Sequence, residues 1–113
     1  AVNAAVKASA SVDDFSKLLK PIDEFDSSIT LYRGLTGNET NSVFFTTDAS
    51  VAATYVKNGL SVHTVNVSNF ALSKLEQTGE LLKFVGKHGA SGITNTEFQF
   101  FGENLVKALL QIN

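Results

Sequence analysis

The segment Val43-Phe44-Phe45-Thr46-Thr47-Asp48 runs from three apolar residues to two hydroxyls and an acid, then enters Ala49-Ser50-Val51-Ala52-Ala53. Three large apolar residues in succession predict a short interior strand over 43–46. Thr47 or Asp48 can cap the helix that follows, predicted over 49–57. In that helix Val51, Ala52, Tyr55 and Val56 share an apolar stripe, and Asn58-Gly59 supplies the stop. A buried strand that feeds directly into an amphipathic helix makes the fold a mixture of the two.

The flanks extend this pattern. Upstream, Ile29-Thr30-Leu31-Tyr32-Arg33 alternates as a strand, and Gly37-Asn38-Glu39-Thr40-Asn41 is a polar loop. Ser11-Val12-Asp13-Asp14 is a helix start, with a hydroxyl cap and acids in the first turn. Phe15, Leu18 and Leu19 give that helix one apolar face, and Pro21 ends it. Residues 1–10 are alanine-rich and read as a helix or as the frayed end of a linker. Downstream, 60–67 alternates as a half-buried strand, with His63, Val65 and Val67 on one side. A short helix over 69–78 ends at Gly79, and 81–85 is a strand. Gly86-Lys87-His88-Gly89-Ala90-Ser91-Gly92 is a glycine-rich, mobile loop where backbone can approach a ligand. Glu97 opens a strand over 97–101, and 103–112 closes the chain as an amphipathic helix with Leu105, Val106, Leu109 and Leu110 inward. The expected fold class is α+β: one domain over 1–113, with about five short strands and about four helices.

Composition narrows the chemistry. Of the nine basic side chains eight are lysines, and the net charge is −2. No general attraction for nucleic acid follows from that balance, because phosphate-backbone affinity scales with the phosphates neutralised. There is no cysteine, so disulfides and thiolate metal sites are excluded. No apolar run approaches the roughly 20 residues that span a bilayer, so no membrane insertion is expected. With no methionine anywhere, the chain reads as a processed piece or excised domain of something longer.

The single arginine, Arg33, stands apart from this lysine-based surface. A guanidinium offers a planar fork of donors that binds carboxylate or phosphate bidentately, which an ammonium cannot do. Apolar neighbours before it and Gly34 after it suggest a charge held at the end of a buried strand.

Arg33 on a first strand, Thr46 and Thr47 ending a second, and Glu97 opening a late one form an ordered set across 29–101. This set resembles the arginine–serine/threonine–glutamate signature of the ADP-ribosyltransferase superfamily, especially the small C-terminal toxin domains of bacterial polymorphic toxins. The resemblance implies a split, mostly antiparallel β core with flanking helices, and NAD as substrate without a metal. It assigns Arg33 and Gly34 to the pyrophosphate, Phe45 and Tyr55 to the nicotinamide pocket beside Phe44, and Thr46 and Thr47 to bracing the site. Glu97 would stabilise the ribosyl cation as nicotinamide leaves. Superfamily members that modify arginine carry a second glutamate two positions earlier, where this chain has Asn95. An amide is no general base. Water, or a protein or RNA acceptor other than arginine, is therefore expected. The resemblance further implies delivery from a bacterium into the cytoplasm of a target cell, and a cognate immunity protein covering the cleft.

Taken singly, these residues have plainer readings: a solvated strand-end carboxylate for Glu97, strand formers and a cap for Thr46 and Thr47, core packing for Phe44, Phe45 and Tyr55. Two other functions also stay open. His63 and His88 could act as an acid–base pair for RNA cleavage, with Lys87, Thr94 or Thr96 on the phosphate. A non-catalytic binding module is the third.

Overall fold

The computed structural model describes residues 10–21 and 26–112. The expected helix over 1–10 lies outside the described residues apart from Ala10. The remainder forms α1 (Val12–Leu19), β1 (Ser28–Gly34), β2 (Ser42–Thr46), α2 (Ala49–Ala53), β3 (Val62–Ser68), α3 (Asn69–Gln77), β4 (Leu81–Lys87), β5 (Thr94–Phe101) and α4 (Glu103–Gln111). The strands make one antiparallel sheet in the order β3-β1-β2-β5-β4. The α+β class read from the sequence is the class of the structure.

Local signals set the element ends. Ser11 and Asp14 exchange hydrogen bonds as a capping box, Asp14 N–H to Ser11 Oγ at 3.1 Å and Ser11 N–H to Asp14 Oδ2 at 3.0 Å, worth about 1 kcal/mol to α1. Asp48, not Thr47, caps α2, accepting from Ser50 N–H at 2.8 Å and Val51 N–H at 3.1 Å. This helix is shorter than its apolar stripe suggested. The Thr54 hydroxyl donates to the Val51 carbonyl at 2.7 Å, and the chain leaves by Lys57 N–H to the Leu35 carbonyl at 3.1 Å. Tyr55 is thereby turned outward, 44% exposed, instead of completing the stripe.

Side chains alternate across each strand, and the sheet's two faces differ. Leu31, Val43, Phe45, Val65, Val67, Leu81, Phe98 and Phe100 pack beneath α1, α3 and α4, meeting Phe15, Leu19, Leu75, Leu105 and Leu109 in one cluster. Burying each such side chain stabilises the fold by roughly 1.5–3 kcal/mol. Tyr32, Phe44, Thr46, Glu97 and Phe84 share the opposite face through the registers Tyr32↔Thr46, Thr46↔Glu97 and Phe84↔Glu97. There, among the described elements, α2 alone packs, at one end.

Ladder pairing is uneven. β1 pairs with β3 along its whole length, from Ser28↔Ser68 to Gly34↔Val62, and β2 pairs fully with β5. Between β1 and β2 a single register pair remains, Tyr32↔Thr46. The sheet thus opens at its middle.

Gly34 closes the top of that opening. A Cβ there would sit 2.0 Å from the Ala52 carbonyl oxygen and 3.0 Å from Val56 N, both backbone atoms that cannot swing aside. Gly34→Ala should lower stability by about 1–3 kcal/mol by forcing α2 off the sheet. Thermal unfolding followed by circular dichroism checks this, and an unchanged midpoint would show that α2 is not seated on Gly34.

Candidate functional site

A cavity of about 340 Å³ occupies the opening between β1 and β2. Tyr32, Arg33 and Gly34 border it from β1, Phe44 and Thr46 from β2, Ala52 and Tyr55 from α2 and its exit turn, and Glu97 from β5. Of the residues singled out in the sequence, Arg33, Gly34, Phe45, Thr46, Tyr55 and Glu97 all line it, and Thr47 does not.

Arg33 answers why this position is arginine. Its Nε and Nη2 donate to Glu39 Oε2 at 3.2 and 2.7 Å, while Nη1 reaches across the opening to the Phe44 carbonyl at 3.4 Å. A side chain spans β1 to β2 where the ladder stops. The fork expected to clamp a pyrophosphate is therefore held largely by the protein itself.

Glu39, read from the sequence as part of a polar loop, is the centre of this network. Its carboxylate also accepts from Thr36 N–H and hydroxyl, both at 2.9 Å, and from Gly37 N–H at 3.0 Å. The pair is secluded, with side-chain exposures of 17% for Arg33 and 6% for Glu39. Burial alone would push the carboxyl pKa up; the hydrogen bonds from Arg33, Thr36 and Gly37 outweigh it and bring the value to about 2, from an ordinary 4.5. One signal for this residue was present in the sequence: a lone loop acid six positions after the lone arginine.

Glu97 stands fourth in β5 rather than first, because the β4–β5 ladder runs on to Lys87↔Thr94. Asn95 Nδ2 donates to Glu97 Oε2 at 3.0 Å and to Thr46 Oγ1 at 2.7 Å. Asn95 is only 7% exposed and Thr46 4%, so the amide fixes two cavity groups from inside. Sequence reading credited Asn95 only with the lack of a base. Among the described residues Glu97 forms no ion pair. A neutral amide orients its carboxylate and leaves its charge to whatever enters.

Three assignments change. Thr47 extends the ladder: its N–H donates to the Thr96 carbonyl at 3.2 Å and its Oγ1 accepts from Thr96 N–H at 3.1 Å. It braces β5 from outside the cavity. Phe45 is fully buried, its ring edge-on to Phe100 and His63, because strand alternation turns it to the core face. Phe44 offers the accessible ring instead, 42% exposed and 6.5 Å from that of Phe84. Gly34 borders the cavity, yet its missing side chain makes room for α2.

A second cavity of about 220 Å³ adjoins the first, with Tyr55 and Glu97 in both linings. It contains His88, Lys87 and Phe84. The loop beyond β4 is shorter and better tied than its glycines suggested, with His88 N–H bonded to the Ile93 carbonyl at 2.8 Å and Gly92 N–H to the His88 carbonyl at 2.7 Å. The His88 ring accepts from Ser91 N–H through Nδ1 at 3.2 Å and meets Tyr55 edge-on, centroids 5.4 Å apart. His63 points to the core face, with Nε2 2.9 Å from the Leu109 carbonyl. The two histidines therefore do not converge as an acid–base pair. Among the described residues no three His, Asp or Glu side chains gather as a metal cage would require. No described helix is long and apolar enough to cross a membrane.

Compared with known proteins, the chain matches no family model, no curated sequence and no solved structure.

The titration of Glu39 has a measurable consequence. Its folded pKa of about 2 lies below the ordinary 4.5, so the charged form stabilises the fold; that contribution is complete above pH 4.5 and is lost as pH falls towards 2. It is on the order of 3 kcal/mol. Glu39→Gln should be less stable than the native chain at pH 7 by about that amount, with the gap closing in acid. Urea unfolding at pH 7 and near pH 2.5 (roughly the lower end of that window) tests the sign, and a gap that stays constant would rule it out.

Proposed function

We propose that this chain cleaves the nicotinamide–ribose bond of NAD, as a bacterial toxin domain of the ADP-ribosyltransferase kind. One observation carries the reading. Arg33, Gly34, Thr46, Tyr55 and Glu97, from four separated segments, border one cavity in the opening of the sheet. Its volume of about 340 Å³ falls in the usual range for small-molecule sites. A hollow of about 380 Å³ elsewhere is bordered, among the described residues, by Glu80 and Glu103 and by no basic side chain, the wrong sign for a pyrophosphate.

The proposed chemistry follows from charge and placement. The nicotinamide ring lies against the accessible rings of Phe44 and Tyr55, with the ribose near Glu97. As the bond from C1′ to the ring nitrogen breaks, its electron pair leaves with nicotinamide, and positive charge develops on the ribose. The Glu97 carboxylate, oriented by Asn95 and unpaired with any described cation, stabilises that charge. An oxygen nucleophile then bonds to C1′ and releases its proton to solvent. Asn95 cannot deprotonate a guanidinium, which favours water or a hydroxyl-bearing acceptor over arginine. Arg33 holds Glu39 and Phe44 in place, and Nη1, with its long contact of 3.4 Å, is the donor it can lend to the ribose or phosphate. Delivery into a target-cell cytoplasm, and an immunity protein that covers the cleft in the producing cell, complete this reading.

Glu97→Gln preserves shape and removes the charge. The native domain should release free nicotinamide from NAD, and Glu97→Gln should reduce that rate by at least about a hundredfold with unfolding unchanged. Chromatographic assay of nicotinamide decides the matter: equal rates remove Glu97 from the mechanism, and no release by the native domain, with or without cell extract, removes the reading itself.

A further inference from the structure

β4 is the last strand of the sheet, and its outer side pairs with no described segment. Hydrogen bonds at both ends fix which backbone groups face outward. Phe101 N–H bonds to the Glu80 carbonyl, and His88 N–H to the Ile93 carbonyl. In an antiparallel ladder such pairs recur at every second residue. Leu82, Phe84 and Gly86 therefore spend their N–H and C=O groups on β5, and Lys83, Val85 and Lys87 direct theirs away from the sheet.

The side chains make this edge unusual. Natural sheet edges are blunted by polar residues, charges or cover. β3, the opposite edge, follows that rule with exposed Thr64 and Asn66. β4 instead exposes Leu82 at 48%, Phe84 at 47% and Val85 at 77%. Its charges are of one sign. Lys83 and Lys87 are exposed, and the strand contains no acid. Lys83 has a partner in Glu76 at 3.5 Å, and among the described residues Lys87 has no ion pair. A Cβ added at Gly86 would meet nothing within 4 Å, so the sheet face over this end of the strand is open too.

We infer that the outer edge of β4 accepts an added strand from a partner polypeptide whose segment is extended, acidic and apolar in alternation. The backbone row supplies hydrogen bonds, Val85 and Phe84 supply apolar contact, and the two lysines select carboxylates. A second copy of the chain fits less well. Antiparallel pairing in full register would set Lys83 against Val85 of the copy, but diagonal to that copy's Lys83 and Lys87, and like charges so placed repel. An added strand would run along the rim of the cavity that holds Lys87 and His88. The edge contact does not depend on what the main cavity binds.

The probe is a capped seven-residue peptide, matching β4 in length, with alternating valine and glutamate, beside a counterpart with lysine for glutamate. Binding is read by fluorescence polarisation and by amide exchange in the labelled domain. The glutamate peptide should bind more tightly than the lysine peptide and slow exchange at Lys83, Val85 and Lys87, with little change at Leu82, Phe84 and Gly86. Val85→Pro removes an N–H that no internal bond uses and should weaken binding about tenfold, whereas Val85→Ala should retain most of it. Lys83→Glu combined with Lys87→Glu leaves the backbone untouched and should reverse the peptide preference. Failure to bind, equal binding of both peptides, or protection appearing elsewhere overturns the assignment. Protection of the same amides by raising protein concentration alone would also overturn it, in favour of self-association.

Discussion

The guanidinium of Arg33 holds the middle of this molecule together. A five-stranded sheet with one register pair between two central strands has a weak seam, and weak seams close or tear unless something spans them. Arg33 spans this one, with two nitrogens on Glu39 and a third on the Phe44 carbonyl. Glu39 in turn gathers the turn at Thr36 and Gly37. The cavity exists because the strands are held near each other yet unpaired. Lysine could supply the charge but not three directed donors in one plane.

Around this seam the sheet divides its labour. One face is covered by α1, α3 and α4 and supplies the large apolar cluster. The other is covered at one end by α2, seated against Gly34, and among the described residues is otherwise left to Tyr32, Phe44, Phe84 and Tyr55. Thr46 and Glu97 stand opposite each other on that face, joined through Asn95. A buried amide between a hydroxyl and a carboxylate is an economical way to fix both, since its two protons satisfy two acceptors. The result is a carboxylate held in position with its charge uncommitted, in a cavity walled by aromatic rings.

Most of the fold was legible because each element announces itself locally. Ser11 and Asp48 cap as hydroxyl and carboxylate caps do, and alternation over 60–67 put Val65 and Val67 on one side, which the structure buries. What failed was what depends on neighbours. Glu97 was read as opening its strand because 86–92 is rich in glycine, whereas pairing with β4 carries Gly86 and Lys87 into a ladder. Tyr55 lies on the helical stripe by spacing, but the hydrogen bond from Lys57 to Leu35 unwinds that turn. Phe44 and Phe45 are indistinguishable by composition, and only the sheet's register decides which one meets solvent. Of the residues grouped from the sequence, all but Thr47 border the one cavity, and Phe45 does so with its ring turned into the core. Glu39 and the bracing role of Asn95 were missed because both act through contacts between segments, which spacing along the chain does not encode.

The central claim is that the opening between β1 and β2 is a site for NAD. Titration of the isotope-labelled domain with NAD, followed residue by residue in amide spectra, tests it most directly. Coordinated saturable shifts at Arg33, Gly34, Phe44, Thr46, Tyr55 and Glu97 are the expected result. No shifts at saturating NAD, or shifts confined to the hollow beside Glu80 and Glu103, would contradict the account.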